Sequence, residues 1–227
     1  MISDLASLPK LTVDQFYALH TDVLVPLNIK INVTQYKQEI TAYDSLFRAW
    51  GNSHLDWPRF GLPLCNLTGN LDDQVDPSCW PLDKWWKQHP DQLYWDHDFN
   101  KLTEAAFIES LSPLRPLHPY MIRSNLLKWN STGQFVPHVD MVEDAITHIR
   151  LWGTTEPSEN YELKFNGKVI KNYEPGRLYL INTLVTHSAL SLVDNAHTFF
   201  ITLTLDSLPA ILDLCVEPGS LPPVQLV

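Results

Sequence analysis

Two histidines and an aspartate stand out by type and spacing. His138 and Asp140 lie two apart in the stretch Phe135-Val-Pro-His-Val-Asp140, and His187 follows an apolar, β-branched run that begins at Leu178. On extended backbone, side chains at i and i+2 leave the same face, so an imidazole and a carboxylate can converge on one point. A second imidazole from a neighbouring strand would complete a set of two histidines and one carboxylate. Such a set binds a non-heme Fe(II) on one side and leaves coordination positions open on the other. The plainer reading is two hydrogen-bonded loop histidines, and the surrounding elements decide between the two.

Those elements must fold His187 back over 49 residues onto His138. Tyr120 to Trp129 reads as extended and is followed by a Ser131-Thr-Gly turn. Ala145 to Trp152 alternates in part and places His148 and Arg150 on one face. Tyr161 to Ile170 reads as a hairpin, because Asn166-Gly167 is a strong short turn signal. Glu174-Pro-Gly-Arg177 is a further turn, and the strand after it is expected to end in a short loop at His187. His197 to Asp206 is a strand of clean alternation.

The first half has a different character. Residues 12–24 and 33–49 carry helical spacing, and Tyr36, Ile40, Tyr43, Leu46, Phe47 and Trp50 make one stripe that Gly51-Asn52 would stop. From 51 to 100 the chain is irregular and rich in Pro, Gly, Asp and aromatics. Within it, Arg59 to Leu64 suits a short extended piece, and Pro81 suits the start of one or two helical turns. Tyr94-Trp-Asp-His-Asp98 also sets a histidine between carboxylates, but no apolar strand holds it, so it reads as a solvated or substrate-facing loop. Lys101 to Leu114 returns to helical spacing, and the proline-bearing tail reads as loop or cover. The expected architecture is mainly β with N-terminal helices, in one domain over 1–227. Residues 1–115 form a helical, loop-rich part packing on the sheet, 116–207 a jelly-roll core with the metal site, and 208–227 a C-terminal tail.

Composition narrows the partners. A net charge of −10 argues against a broad phosphate-binding surface, so nucleic acid is an unlikely partner. No run of about 18 apolar residues marks a membrane span, and the first residues lack the pattern of a secretory signal. Three cysteines at wide spacing give neither a disulfide framework nor a zinc signature, which fits a reducing, cytoplasmic setting. The sequons at Asn32, Asn66 and Asn130 then carry no meaning of their own.

The segments Arg123-Ser-Asn-Leu-Leu-Lys-Trp-Asn-Ser-Thr-Gly-Gln-Phe-Val-Pro-His-Val-Asp140 and Gly176-Arg-Leu-Tyr-Leu-Ile-Asn-Thr-Leu-Val-Thr-His-Ser188 resemble the 2-oxoglutarate/Fe(II)-dependent oxygenases. Within them the pattern is most similar to the aspartyl/asparaginyl β-hydroxylase-like and proline-hydroxylase-like branch. The resemblance covers roughly residues 104 to 206. It implies a double-stranded β-helix of cupin-like jelly-roll type, flanked by helices, with His138, Asp140 and His187 as the catalytic Fe(II) ligands. It also implies 2-oxoglutarate as cosubstrate and O₂ as oxidant, with succinate and CO₂ released. The reaction would hydroxylate an unactivated C–H bond of an amino acid, a peptide side chain or a small metabolite.

One position departs from the family pattern. An arginine about ten residues after the distal histidine usually pairs with the far carboxylate of 2-oxoglutarate, and here the tenth residue is His197. His197 and Arg150 are expected to line the cosubstrate pocket, with Lys128 as a further candidate cation. Arg59, Tyr94, Trp95 and His97 fall in the irregular segment that could cover the mouth of the site. Two other classes use the same scaffold: a cupin-like module whose metal is structural or absent, and a metal-dependent isomerase or ring-cleaving enzyme without 2-oxoglutarate. Extra histidine or glutamate ligands near the motif would favour the isomerase, and the nearby acids Glu143 and Asp144 are not well placed for this by the strand pattern.

Overall fold

The structure is a computed structural model that describes residues 7–20, 22–50, 59–73, 76–140, 146–217, 219–222 and 224–227. The expected helix stop at Gly51-Asn52 and the acids Glu143 and Asp144 lie outside the described residues. Along the chain come α1 (Val13–Leu19), β1 (Leu24–Lys30), α2 (Val33–Glu39), β2 (Arg48–Ala49), β3 (Arg59–Pro63) and β4 (Cys65–Asn66). Next are α3 (Leu82–Gln88), β5 (Lys101–Leu102), β6 (Met121–Trp129), β7 (Gln134–His138) and β8 (His148–Thr154). The remainder is β9 (Tyr161–Phe165), β10 (Lys168–Lys171), β11 (Arg177–Ile181), β12 (His187–Ser191), β13 (Ala196–Thr204), α4 (Leu208–Leu214) and β14 (Gln225–Leu226).

The strands form two main antiparallel sheets. The larger has the order β1-β11-β8-β13-β6-β3-β2, and the smaller has the order β14-β10-β9-β12-β7. From β6 to β13 the chain alternates between the sheets strand by strand, with only the β9–β10 hairpin staying in one sheet, which is the double-stranded β-helix, a jelly roll. Residue parity splits the core. On β11 and β8, Leu178, Leu180, Ile149 and Leu151 face a helical cover. Tyr179, Ile181 and Trp152, one residue out of phase, face the smaller sheet. The helical cover is α2 with the short 3₁₀ turns before β6. Asn32 caps α2 by accepting from the Gln35 N–H, and buried Tyr36 and Ile40 seat it on the sheet.

The expected helices are shorter than their spacing suggests. The first stops at Leu19, and Leu24 opens β1, a strand that the helical reading of 12–24 hides. The second tightens into a 3₁₀ turn at Ile40 and ends at Leu46. Residues 104–120 are 3₁₀ turns because Pro113, Pro116 and Pro119 remove amide donors from any longer helix. Among the described residues the first half therefore holds five strands as well as helices, and β1, β2 and β3 widen the larger sheet. The tail contains α4, which follows a proline at its start. The three cysteines are unpaired. Among the described residues, no helix is long and apolar enough to cross a membrane.

Positive φ decides the path of the chain at two of its turns. The β9–β10 hairpin turns at Asn166 (φ 49°) and Gly167 (φ 79°), as the Asn-Gly signal requires, and nothing crowds Gly167. Gly176 (φ 81°) is different: its N–H donates to Thr154 O, its carbonyl accepts from Ile31 N, and a Cβ there would collide with the Ile31 carbonyl oxygen. We expect Gly167→Ala to lower stability by about 1 kcal/mol, and Gly176→Ala by roughly 2–4 kcal/mol because strain and collision combine. Urea denaturation of the two variants checks the order.

Candidate metal centre

The centre is built where β7 ends and β12 begins. His138 and His187 are direct partners across this antiparallel pair, and their ring centroids are 4.3 Å apart. Asp140, just past β7, is held by its N–H to Thr183 O at 3.1 Å, and its Oδ1 is 3.8 Å from His138 Nε2. One ligand atom from each of the three side chains falls within 4.8 Å of the others. His187 thus opens β12 instead of closing the preceding strand, because Asn182 to Thr186 make the turn that the apolar run disguised.

Backbone carbonyls set the tautomers. His138 Nδ1 lies 2.7 Å from Val136 O and His187 Nδ1 lies 2.9 Å from Val185 O. A carbonyl only accepts, so each Nδ1 carries the proton and each Nε2 keeps its lone pair. Burial lowers the His187 pKa against the pull of Asp140, which favours the neutral ligand form. Burial works against the Asp140 carboxylate, yet the Arg150 charge overcomes it, and the group stays below the usual carboxylate range. Arg150 Nη1 donates to Asp140 Oδ2, so Oδ1 remains on the side of the imidazoles. Two neutral Nε2 atoms and one ionised oxygen suit a divalent ion with open positions opposite.

Arg150 is itself anchored from outside the two-sheet core. Its Nη2 donates to Asp96 Oδ2 at 3.1 Å, and Arg123 Nη1 donates to Asp96 Oδ1 at 2.9 Å. Burial opposes ionisation of Asp96, but Arg123, His148 and Arg150 hold its carboxyl far below the ordinary range. His148, on the same face of β8 as Arg150, is pushed down to about 4 by burial and by Arg150. The Tyr94–Asp98 stretch is therefore no solvated loop: Asp96 is the buried counter-charge for two arginines. The signal in the sequence was the pair Arg123 and Arg150, each on an inward strand position and each needing an acid.

A cavity of about 480 Å³ opens beside the triad, walled by Trp50, Phe135, Trp129, Trp152, Tyr161 and Phe200 among others. Arg150 lines it, as expected from the sequence, and so does Arg59. His197 and Lys128 do not, and their expected place in the pocket is corrected by strand parity. On β13, Thr198, Phe200 and Thr202 face the cavity. His197 faces the helical cover, where its Nδ1 shares a hydrogen bond of 2.9 Å with the Tyr36 hydroxyl. Its partner across the ladder, Lys128, points the same way and pairs with Asp44 at 2.9 Å. Tyr94, Trp95 and His97 also stay out of the wall. Trp95 packs on Trp86, whose Nε1 donates to Tyr94 O, and His97 is buried.

Neither a protein-family model nor a curated protein matches this chain. Among solved structures it is similar to a prolyl hydroxylase from Trichoplax adhaerens, in complex with a hypoxia inducible factor oxygen degradation domain peptide. That match has 13% identity over 86% of this chain and 89% of that one, with a TM-score of 0.46. A 2OG-Fe(II) oxygenase family oxidoreductase from Burkholderia pseudomallei matches at 10% identity over 73% and 77%, TM-score 0.36. An RmlC-like cupin from Shewanella frigidimarina matches at 10% identity over 39% and 71%, TM-score 0.28.

Two outcomes follow from the buried charges. Burial, with the Lys128 charge beside it, pushes His197 down to about 4. The unfolded chain, titrating near 6.5, binds the extra proton as pH falls through that window. Stability is thus full above pH 6.5 and falls toward pH 4, with up to about 2 kcal/mol lost from His197 between pH 7 and pH 5. Urea denaturation should show most of this difference vanish in His197→Gln, while His148 keeps its own share. Asp96→Asn leaves two buried guanidinium groups short of a counter-charge, and the same assay should report a loss of roughly 3–5 kcal/mol.

Proposed function

We propose that this protein is an Fe(II)- and 2-oxoglutarate-dependent dioxygenase that hydroxylates an unactivated C–H bond of an amino acid, a peptide side chain or a small metabolite. One observation carries the reading. One ring nitrogen from each of two histidines and a carboxylate oxygen converge within 4.8 Å at the end of one strand pair, beside a cavity with aromatic walls.

His138, Asp140 and His187 would hold the iron, and bound Fe(II) with 2-oxoglutarate would supply the oxidising power by coupling decarboxylation of the oxoacid to reduction of O₂. The protein's own residues do the rest. The Val136 and Val185 carbonyls hold the proton of each neutral ring on Nδ1 and so leave both Nε2 atoms as the ligand atoms. Arg150 occupies Asp140 Oδ2 and so presents Oδ1 alone to the ion. The aromatic walls exclude water from the cavity, which strengthens each charged contact inside it. Asp83 and Lys84 of α3 also line the cavity, and both belong to a short helix outside the two-sheet core, where a substrate can enter.

The test is spectroscopic first and chemical second. Under anaerobic conditions, protein with Fe(II) and 2-oxoglutarate should show the weak visible band of the chelated oxoacid, and admission of air should yield succinate. His138→Ala should abolish both and lower metal affinity by more than roughly 100-fold, because loss of a supporting hydrogen bond alone costs roughly 10–100-fold. Wild-type protein that binds one metal ion tightly yet gives neither band nor succinate would refute the oxygenase reading in favour of a metal-binding module or isomerase.

A further inference from the structure

Three arginines line the cavity: Arg59, Arg123 and Arg150. Arg123 and Arg150 have carboxylate partners in Asp96 and Asp140. Arg59 is only 7% exposed, and among the described residues no carboxylate pairs with it. Its guanidinium carbon lies 3.7 Å from the Phe135 ring centroid, and Nη1 donates to Gln134 O. Its Nε is buried and has no hydrogen-bond partner. A cation-π contact of roughly 0.5–2 kcal/mol offsets only part of what it costs to bury an unpaired guanidinium. Burial accordingly draws the group down to about 10, against a smaller opposing effect of the Tyr161 side chain.

The position of this group is informative. Arg59 and the three triad residues line the same cavity, and Phe135, which the guanidinium covers, has its ring centroid 5.8 Å from that of His138. Trp129, the ladder partner of Arg59, lies 5.2 Å from Phe135 and 5.3 Å from Tyr161. Its Nε1 donates to Thr198 Oγ1 at 3.0 Å. One end of the cavity thus offers metal ligands and the other offers a guanidinium fork whose Nε and Nη2 edge is unused. The inward residues of β13 between Ala196 and Thr204 supply no charge to compete with it.

We infer that Arg59 binds the far carboxylate of 2-oxoglutarate, so that a strand outside the eight strands of the jelly-roll core supplies the cation that β13 lacks. This rests on the oxygenase reading and names a specificity residue for its cosubstrate. A carboxylate in the cavity would accept a charged hydrogen bond from Nη2 and would supply the missing counter-charge. The chain then selects a five-carbon dicarboxylic oxoacid over a monocarboxylic one of the same length. The selection comes from a residue that no count from the distal histidine would find.

The test is equilibrium binding to the Mn(II)-loaded protein by calorimetry, with 2-oxoglutarate and 2-oxopentanoate as probes. The second probe has a methyl group in place of the far carboxylate. Wild type should prefer 2-oxoglutarate by at least roughly tenfold, the size of a charged hydrogen-bonded contact. Arg59→Met should bring that ratio close to one while Mn(II) and 2-oxopentanoate affinities stay as in wild type. Arg59→Lys, which keeps the charge but not the fork, should retain only part of the preference, and it decides the matter if Arg59→Met fails to fold. A wild-type ratio in either folded variant overturns the assignment of Arg59 and leaves the oxygenase reading standing. Wild-type protein that binds Mn(II) but neither oxoacid overturns both.

Discussion

Across the β7–β12 ladder His138 stands opposite His187, and a slip of one residue in that register would turn one imidazole away from the other. Pairing of these two strands brings together groups 49 residues apart in the chain. The ladder also sets the path of the backbone beside the rings, so that the carbonyls two residues earlier, Val136 and Val185, reach both Nδ1 atoms. Geometry and tautomer of the two imidazoles are therefore products of the same pairing.

Charge balance is the second constraint. An inward-facing Asp140 needs a cation, Arg150 supplies it, and the surplus of Arg150 and Arg123 is met by Asp96. This chain of ion pairs ties a 3₁₀ turn in the irregular segment to the inner face of the larger sheet. In a cavity with aromatic walls such pairs are poorly screened, so removing one member costs more than a surface pair would. The irregular segment is thus fastened by electrostatics where the jelly roll is fastened by strand ladders.

Much of this was legible in the residues. The strands of the second half, the Asn166-Gly167 hairpin and the choice of His138, Asp140 and His187 as candidate ligands follow from local pattern, because strand alternation and turn chemistry are encoded within a few neighbouring positions. Arg150 and His148 sharing a face is the same periodicity at work. The helical reading of 12–24 failed at Leu24, since an apolar run that becomes a sheet edge has no local mark distinguishing it from a helix end.

Tertiary structure alone decided which cations meet the cavity. Ten residues past His187 the count lands on His197, but parity along β13 sends that ring to Tyr36 and leaves Thr198 inside. Arg59 and Asp96 lie in a stretch with weak periodicity, so nothing local says that one enters the cavity wall and the other is buried between two arginines. Short-range pattern determined the strands and the three candidate ligands. The partners of the buried charges were set by contacts tens of residues apart, because electrostatic pairing depends on distance in space and leaves no period in the chain.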